Sequence, residues 1–334
     1  MNALYSLVLV FALVLIALFG VGTAHMAGLF GTWLPYVAVA VFLVGFASRI
    51  IGWAKSPVPF SIPTTGGQQK SLDFIKHDCF DNPVTPGQTF IRMVLEICCF
   101  RSLFRNTSVS LKNGRVSYAS SKFLWLFSLL FHYSFLLIVI RHMRLFFEPV
   151  PACIGFVEMI DGIMQIGVPR LYMSDLLILA GLGFLLGRRL KDPKLRYISL
   201  VTDYFPLLLI IGIALSGIYM RYFAHVDIVQ IKALTMGLVT FSPVALAAAM
   251  KISVVFYIHL FLVCALLIYF PFSKLMHVGG VFLSPTRNMP NDTRIKHHEN
   301  PWNDPNIKPH SYAAYEDEFR EPMIEAGLPV EKES

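Results

Sequence analysis

The chain alternates long apolar blocks with polar connections, and within the blocks the apolar residues fill every face instead of forming a stripe. Six blocks are long enough, or nearly so, to cross a bilayer: residues 3–24, 34–54, 122–147, 172–190, 200–221 and 251–276. A helix needs about 20 apolar residues to cover the hydrocarbon core. The pattern predicts an all-α integral membrane protein with six transmembrane helices. The fourth block is the shortest of the six.

Two polar stretches are long. Residues 55–121 open with Pro57, Pro59 and Pro63, so they do not form one continuous helix. Inside this stretch, "FIRMVLEICCFRSLFRN" (90–106) is apolar with basic punctuation. It reads as a helix that lies in the membrane interface or docks on another subunit. The tail, 278–334, is polar, proline-rich and acidic towards its end, and too poor in apolar residues to build its own core. It reads either as an arm that orders against a partner or as a disordered segment. Four regions result: two N-terminal membrane helices (1–54), a loop with an interfacial or docking helix (55–121), a four-helix membrane region (122–277) and a tail (278–334). There is no internal repeat.

Lysine and arginine placement sets the orientation. Lys55, Lys70, Lys76, Arg92, Arg101, Arg105, Lys112, Arg115 and Lys122 follow the second block, and Arg188, Arg189, Lys191, Lys194 and Arg196 follow the fourth. Both groups are expected to be cytoplasmic, which puts both termini of a multi-pass cytoplasmic-membrane protein inside. Arg141 and Arg144 breach the rule, because they fall at the outward end of the third helix. The first block lacks a positive leader and is too long for a signal-peptide core, so it reads as a retained helix.

Composition agrees: 55% of residues are hydrophobic, 15% are charged and the mean hydropathy is +0.61. The net charge is +7, but the cations cluster beside apolar blocks as topology signals, which argues against a nucleic-acid partner. None of the five cysteines forms a C-x-x-C pair, so neither an iron–sulfur nor a zinc site is indicated.

Histidine is where the chemistry enters. The third block carries His132 and His142, ten residues apart, and the last carries His259 and His277, eighteen apart. One membrane histidine reads as a neutral ring bonded to a neighbouring helix; two on each of two helices read as functional. The two helices run in opposite directions, so His132 meets His277 near the inner side and His142 meets His259 near the outer side. Imidazole pairs across a bundle are how b-type haem iron is held from both sides. Ten residues rise about 15 Å and eighteen about 27 Å on ideal helices. Helix tilt and a kink at Pro271 are expected to absorb the difference, with Gly279 and Gly280 ending the helix. A zinc or iron site would need carboxylates or cysteines beside these histidines, and the blocks supply none within a turn.

The 10-and-18 spacing and "FPFSKLMH" resemble the di-haem cytochrome b, or gamma, subunit of respiratory nitrate reductase over the last five helices. The stretches "SPVPFSIPTTGGQQKSLDFIK", "LEICCFRSLFRNT" and "SSKFLWLFSLLFHYSFLLIVIRHMRLFFEPVP" extend the likeness over nearly the whole chain, to the DsrM/HmeC family of the DsrMKJOP (Hme) complex. The resemblance implies two haem b groups on His132, His142, His259 and His277, and exchange of electrons with menaquinone. It also implies partners: a cytoplasmic DsrK-like iron–sulfur subunit, a DsrP-like membrane subunit, and an outward-facing cytochrome c and iron–sulfur protein of sulfur metabolism. The chain itself would perform at most the quinol-oxidation half-reaction.

Related cytochromes oxidise quinol beside the outer haem. The resemblance therefore points to Arg144, Glu158, Asp161, Arg170 and Asp175 at that rim as quinone-site candidates, and to Arg141 and Arg144 as holders of haem propionates or quinone. Two alternatives stay open: the cytochrome of a nitrate reductase or of a membrane heterodisulfide reductase, and a haem-free membrane scaffold or proton path.

Overall fold

The computed structural model describes residues 1–57, 69–71, 73–164, 170–244, 246–292, 308 and 310–332. Pro59, Pro63, His297 and His298 lie outside the described residues. The chain is an all-α membrane protein. Among the described residues, five helices are long and apolar enough to cross a bilayer: Asn2–Gly22, Leu29–Ala54, Lys122–Leu145, Val201–Ala224 and Val254–Phe272.

In chain order the first helix is α1 (Asn2–Gly22) and the second α2 (Leu34–Ala54), which a π-helical turn over Leu29–Trp33 leads into. The 55–121 region holds α3 (Pro86–Cys99), the short α4 (Arg101–Phe104) and the strands β1 (Thr107–Lys112) and β2 (Arg115–Ser120). Thr85 caps α3 by accepting from the Gln88 N–H, and Pro86 occupies the first turn, where its missing donor costs nothing. Phe100 then takes a left-handed conformation and separates α3 from α4. The 90–106 helix expected from the sequence is thus two helices with a corner between them.

The β1–β2 hairpin was not anticipated. Its signal is plain in hindsight: Asn113–Gly114 sits between alternating residues, and both turn residues have positive φ, 52° and 74°, as a two-residue hairpin turn requires.

Next come α5 (Lys122–His142), α6 (Ala152–Asp161), the two-strand pair β3 (Gly162–Met164) and β4 (Leu171–Tyr172), α7 (Met173–Lys191), α8 (Pro193–Ile198) and α9 (Val201–Tyr219). The helix α7 is the fourth expected block. Its charges sit at its ends, Asp175 in the first turn and Arg188, Arg189 and Lys191 in the last, which suits the helix dipole. It packs tightly on α5, because a Cβ on Gly181 would stand 3.0 Å from the Phe131 backbone.

The chain continues through α10 (Ile228–Val239) and the short α11 (Leu246–Ala249) into α12 (Val254–Tyr269), and then through α13 (His277–Gly280) to α14 (Tyr312–Glu325). Buried apolar residues of α1, α9 and α12, such as Val10, Leu209 and Leu262, meet in one cluster, and Ile178, Leu182 and Ile210 of α7 and α9 meet in another.

One expectation about the last span needs correction. His259 and His277 do not lie on one continuous helix. The α-helix ends at Tyr269, tightens to a 3-10 turn over Phe270–Phe272, and opens at Ser273 (φ −117°, ψ 176°) before resuming over Lys274–Met276. The cause is local: Pro271 removes a backbone donor, and the Ser273 hydroxyl recaps the chain by accepting from the Leu275 N–H. The eighteen-residue rise of an ideal helix therefore does not apply. Gly279 and Gly280 are the last two residues of α13, as expected, and a 3-10 turn over Val281–Leu283 follows. Gly279 is also a close-approach residue, where an added Cβ would meet Ile50 of α2 at 2.5 Å.

Candidate haem-ligand pairs and the outer charge cluster

The break at Ser273 lets the last turn swing towards α5. His132 of α5 and His277 of α13 lie with ring centres 6.0 Å apart at 84°. His142, at the end of α5, and His259 of α12 lie 6.3 Å apart and nearly parallel, at 17°. The structure thus brings together both histidine pairs expected from the sequence, at two levels along α5, with the partners on α13 and α12.

The second nitrogen of each ring is engaged. Nδ1 of His132 lies 2.8 Å from the Ser128 carbonyl, Nδ1 of His142 lies 2.7 Å from the Ile138 carbonyl, and Nδ1 of His277 lies 2.9 Å from the Lys274 carbonyl. A carbonyl only accepts, so each of these Nδ1 atoms carries the proton. His259 differs in its partner: Nδ1 lies 2.9 Å from the Ser216 hydroxyl. That hydroxyl is directed at the Ile213 carbonyl, 3.0 Å away, so its oxygen accepts from His259. In all four rings the lone pair is left on Nε2, the atom a metal takes, and the Nδ1 bond orients the ring. The small Gly217 makes room here, since an added Cβ would stand 3.3 Å from His259.

These residues fit a haem. Two metal–nitrogen bonds of about 2 Å in line separate two imidazole centres by about 6 Å. Two imidazoles are too few for a bare ion, but they are the full axial set for a metal that brings its own ring of equatorial donors. Among the described residues, no three histidine, cysteine or carboxylate side chains converge as a metal site of another kind.

Beside His142, the outer charges assemble into a network the sequence could not reveal. Arg141 is 8% exposed. Its Nε lies 3.0 Å from Asp161 Oδ2, its terminal nitrogen donates to Asp175 Oδ1 at 2.9 Å and to the Ser174 hydroxyl at 2.8 Å, and its guanidinium stacks 3.7 Å from the Tyr172 ring centre. Ser174 in turn donates its N–H and hydroxyl to the two oxygens of Asp161, at 2.8 and 2.6 Å. The other oxygen of Asp175 accepts from the Tyr222 hydroxyl at 2.8 Å.

Arg221 covers the same Tyr172 ring at 4.2 Å and donates to the Arg170 carbonyl. Arg144 is set apart: it is half exposed and pairs with Glu158 through two contacts of 2.9 and 3.2 Å. Of the rim residues singled out from sequence, Arg141, Asp161 and Asp175 therefore form one buried unit. Arg144 and Glu158 form a second unit, and Arg170 contributes its backbone to the first. Ser174, Tyr172, Tyr222 and Arg221 were missed. Nothing short-range marks them, because Ser174 lies 33 residues from Arg141 and Tyr222 lies 47 residues from Asp175.

Comparison with known proteins puts these residues in context. Residues 91–289, which include all four paired histidines, match the nitrate reductase gamma subunit family. The Hdr-like menaquinol oxidoreductase cytochrome b-like subunit of Archaeoglobus fulgidus is 50% identical over 278 residues, 82% of this chain and 83% of that protein. The protein of the same description from Archaeoglobus profundus is 42% identical over 277 residues, 82% of each chain.

Proposed function

The chain belongs to the nitrate reductase gamma subunit family, and from there we propose that it is the di-haem b cytochrome of a menaquinol-oxidising membrane complex. The observation that carries this is the set of four histidines, paired about 6 Å apart with every Nδ1 hydrogen-bonded. His132 with His277, and His142 with His259, would each hold one haem b. Bound there, haem supplies one-electron carriage across the bilayer. The relatives' description as menaquinol oxidoreductase subunits supports menaquinol as the donor.

Oxidising a quinol releases two protons as well as two electrons, so the donor site needs bases in place. The Asp161–Arg141–Asp175 unit offers them beside His142: it carries two carboxylates against one guanidinium, and Tyr222 connects Asp175 towards the protein edge. Arg141 in this reading holds the carboxylates in position. Arg144, itself half exposed beside Glu158, is the arginine free to turn towards a haem propionate. Arg170 and Glu158 complete the rim of the quinol site.

The orientation proposed from the basic residues puts this rim outside the cytoplasmic membrane, with both termini inside. Protons would leave on the outer side while electrons go to the inner pair and on to a cytoplasmic, DsrK-like iron–sulfur partner, which would carry out the sulfur chemistry. A DsrP-like membrane subunit, with a cytochrome c and an iron–sulfur protein on the outer face, would complete the complex.

The test is a reduced-minus-oxidised optical spectrum with haem quantitation on the purified chain, repeated on His142→Ala and His277→Ala. Two haems b in the parent and one in each variant are expected. A folded parent without haem would overturn the proposal and leave a scaffold or proton path.

A further inference from the structure

The helix α3 is amphipathic with its polarity reversed. Thr89 and Glu96 are buried, while Phe90, Ile91, Val94 and Ile97 are exposed. The exposed four fall at helical spacing and share one face. An ordinary surface helix turns such a face inward.

The polar face is held from within. Glu96 accepts from the Ser102 N–H at 2.8 Å and from Arg287 Nε at 2.9 Å, the latter from the stretch that follows the last span. Beyond it, the side chains of Asn82 and Asn291, both buried, bond to each other. Of the nearby cations, Arg101 pairs with Asp81 at 3.1 Å and Arg105 pairs with Asp78 and Asp81, while Arg92 lies on the Glu96 side of α3, away from the apolar face, with one guanidinium nitrogen buried and not hydrogen-bonded. What α3 presents outward is therefore apolar and carries no spare charge.

The C-terminal end of α3 shows what covers that face. The Cys98 carbonyl accepts from the Tyr133 hydroxyl at 2.7 Å, and the Cys99 carbonyl accepts from the Trp125 indole N–H at 2.7 Å. Both donors lie on α5, a membrane span. Tyr133 lies eleven residues past Lys122, about 16 Å along the helix. Tyr133 is half exposed, as is its neighbour Leu136 on the next turn, so this side of α5 faces lipid. The helix α3 is therefore fastened by its C-terminal end to an exposed side of a span, at a level between Trp125, three residues past Lys122, and Tyr133.

We propose that α3 lies within the leaflet on the Lys122 side, with Phe90, Ile91, Val94 and Ile97 seated against lipid acyl chains. The occupant of the face is the bilayer, and burial of apolar surface, not attraction to anionic headgroups, holds it there. The consequence for function is direct, since Phe100, the corner residue after α3, packs edge-on against His132 at 5.0 Å. The helix then forms the lipid-side wall of the inner histidine pair.

The experiment is spin-label accessibility on the full chain in zwitterionic phosphatidylcholine nanodiscs. The partly exposed Cys79 and the exposed Cys98, Cys99 and Cys153 are replaced by serine, and one label is placed at Val94→Cys or, as a second variant, at Ile97→Cys. Leu136→Cys serves as the lipid-facing standard. The expected result is collision with dissolved oxygen several-fold above collision with a water-soluble nickel complex, as at Leu136. Dominant nickel collisions would put the face in water and overturn the proposal. Exclusion of both probes would mean that protein, a second copy or a partner subunit, covers it, which also overturns it. Oxygen preference that appears only when anionic lipid is added would make charge the cause and overturn the proposal as stated.

Discussion

Two arginines three residues apart, Arg141 and Arg144, both breach the positive-inside pattern, yet their surroundings assign them different work. Arg141 is enclosed by Asp161, Asp175, Ser174 and the face of Tyr172. Removing one partner from a buried ionic group leaves its counter-charges stranded, at a cost of about 3–5 kcal/mol. Arg144 with Glu158 is a half-exposed pair, worth about 0–1 kcal/mol. Arg141→Met is therefore expected to lower the unfolding midpoint of the detergent-solubilised protein sharply, and Arg144→Met to leave it nearly unchanged. Equal effects would mean that the Arg141 cluster is solvated. The histidines were legible from sequence, because an ionisable residue in an apolar run stands out. The cluster was legible only in part: Asp161 and Asp175 stood out as rim carboxylates, but Ser174 and Tyr222 are ordinary helix-end residues until α6, the start of α7 and the end of α9 converge on Arg141.

Elements were legible where one local rule decides them and opaque where two distant segments decide them. Five spans follow from run length alone. The hairpin had its Asn–Gly signal and could have been read. The direction of α3's faces could not, because Arg287, 191 residues away, is what fixes Glu96 inward. The tail shows the same division. Polar composition argued for an arm without a core of its own, yet α14 forms, with Ser311 capping it by accepting from the Ala314 N–H.

The chain end folds back on α14. Glu316 accepts from the backbone N–H groups of Glu331 and Lys332, at 2.9 and 3.0 Å, and Arg320 bonds Asp317. The backbone donors of Glu331 and Lys332 hold the Glu316 carboxyl below its ordinary range, and Arg320, with Lys332, does the same for Asp317. A carboxyl whose folded pKa is depressed contributes stability above its unfolded value, about 4.3 for Glu and 3.9 for Asp, and loses it as pH falls through the folded value. The fold-back is thus expected to be intact at neutral pH and to open only below about pH 4. Amide exchange at Glu331 and Lys332 as a function of pH checks this. Fast exchange already at pH 7 would mean that the carboxylate does not hold them.

For the assembled protein, the arrangement of charge, helices and thiols makes one joint statement, that the Arg141 cluster and the 55–121 region lie on opposite sides of the membrane. An odd number of crossings puts two points of the chain on opposite sides, and α5 is the single candidate span between Cys99 and Cys153. Cys79 precedes α3, and Cys153 is exposed in α6, directly beyond the outer histidine pair. In the proposed orientation, a membrane-impermeant maleimide applied to sealed right-side-out vesicles is expected to label Cys153 and to spare Cys79, and inverted vesicles are expected to reverse this. The lipid-seated α3 predicts a further difference on the inner side, that Cys98 and Cys99 react more slowly than Cys79 in inverted vesicles although all three share that face. Labelling of Cys79 and Cys153 from the same side would break the single-crossing assignment of α5. The two histidine pairs would then no longer sit at two depths of the bilayer, and the carriage of electrons from an outer quinol to an inner partner would lose its geometric basis.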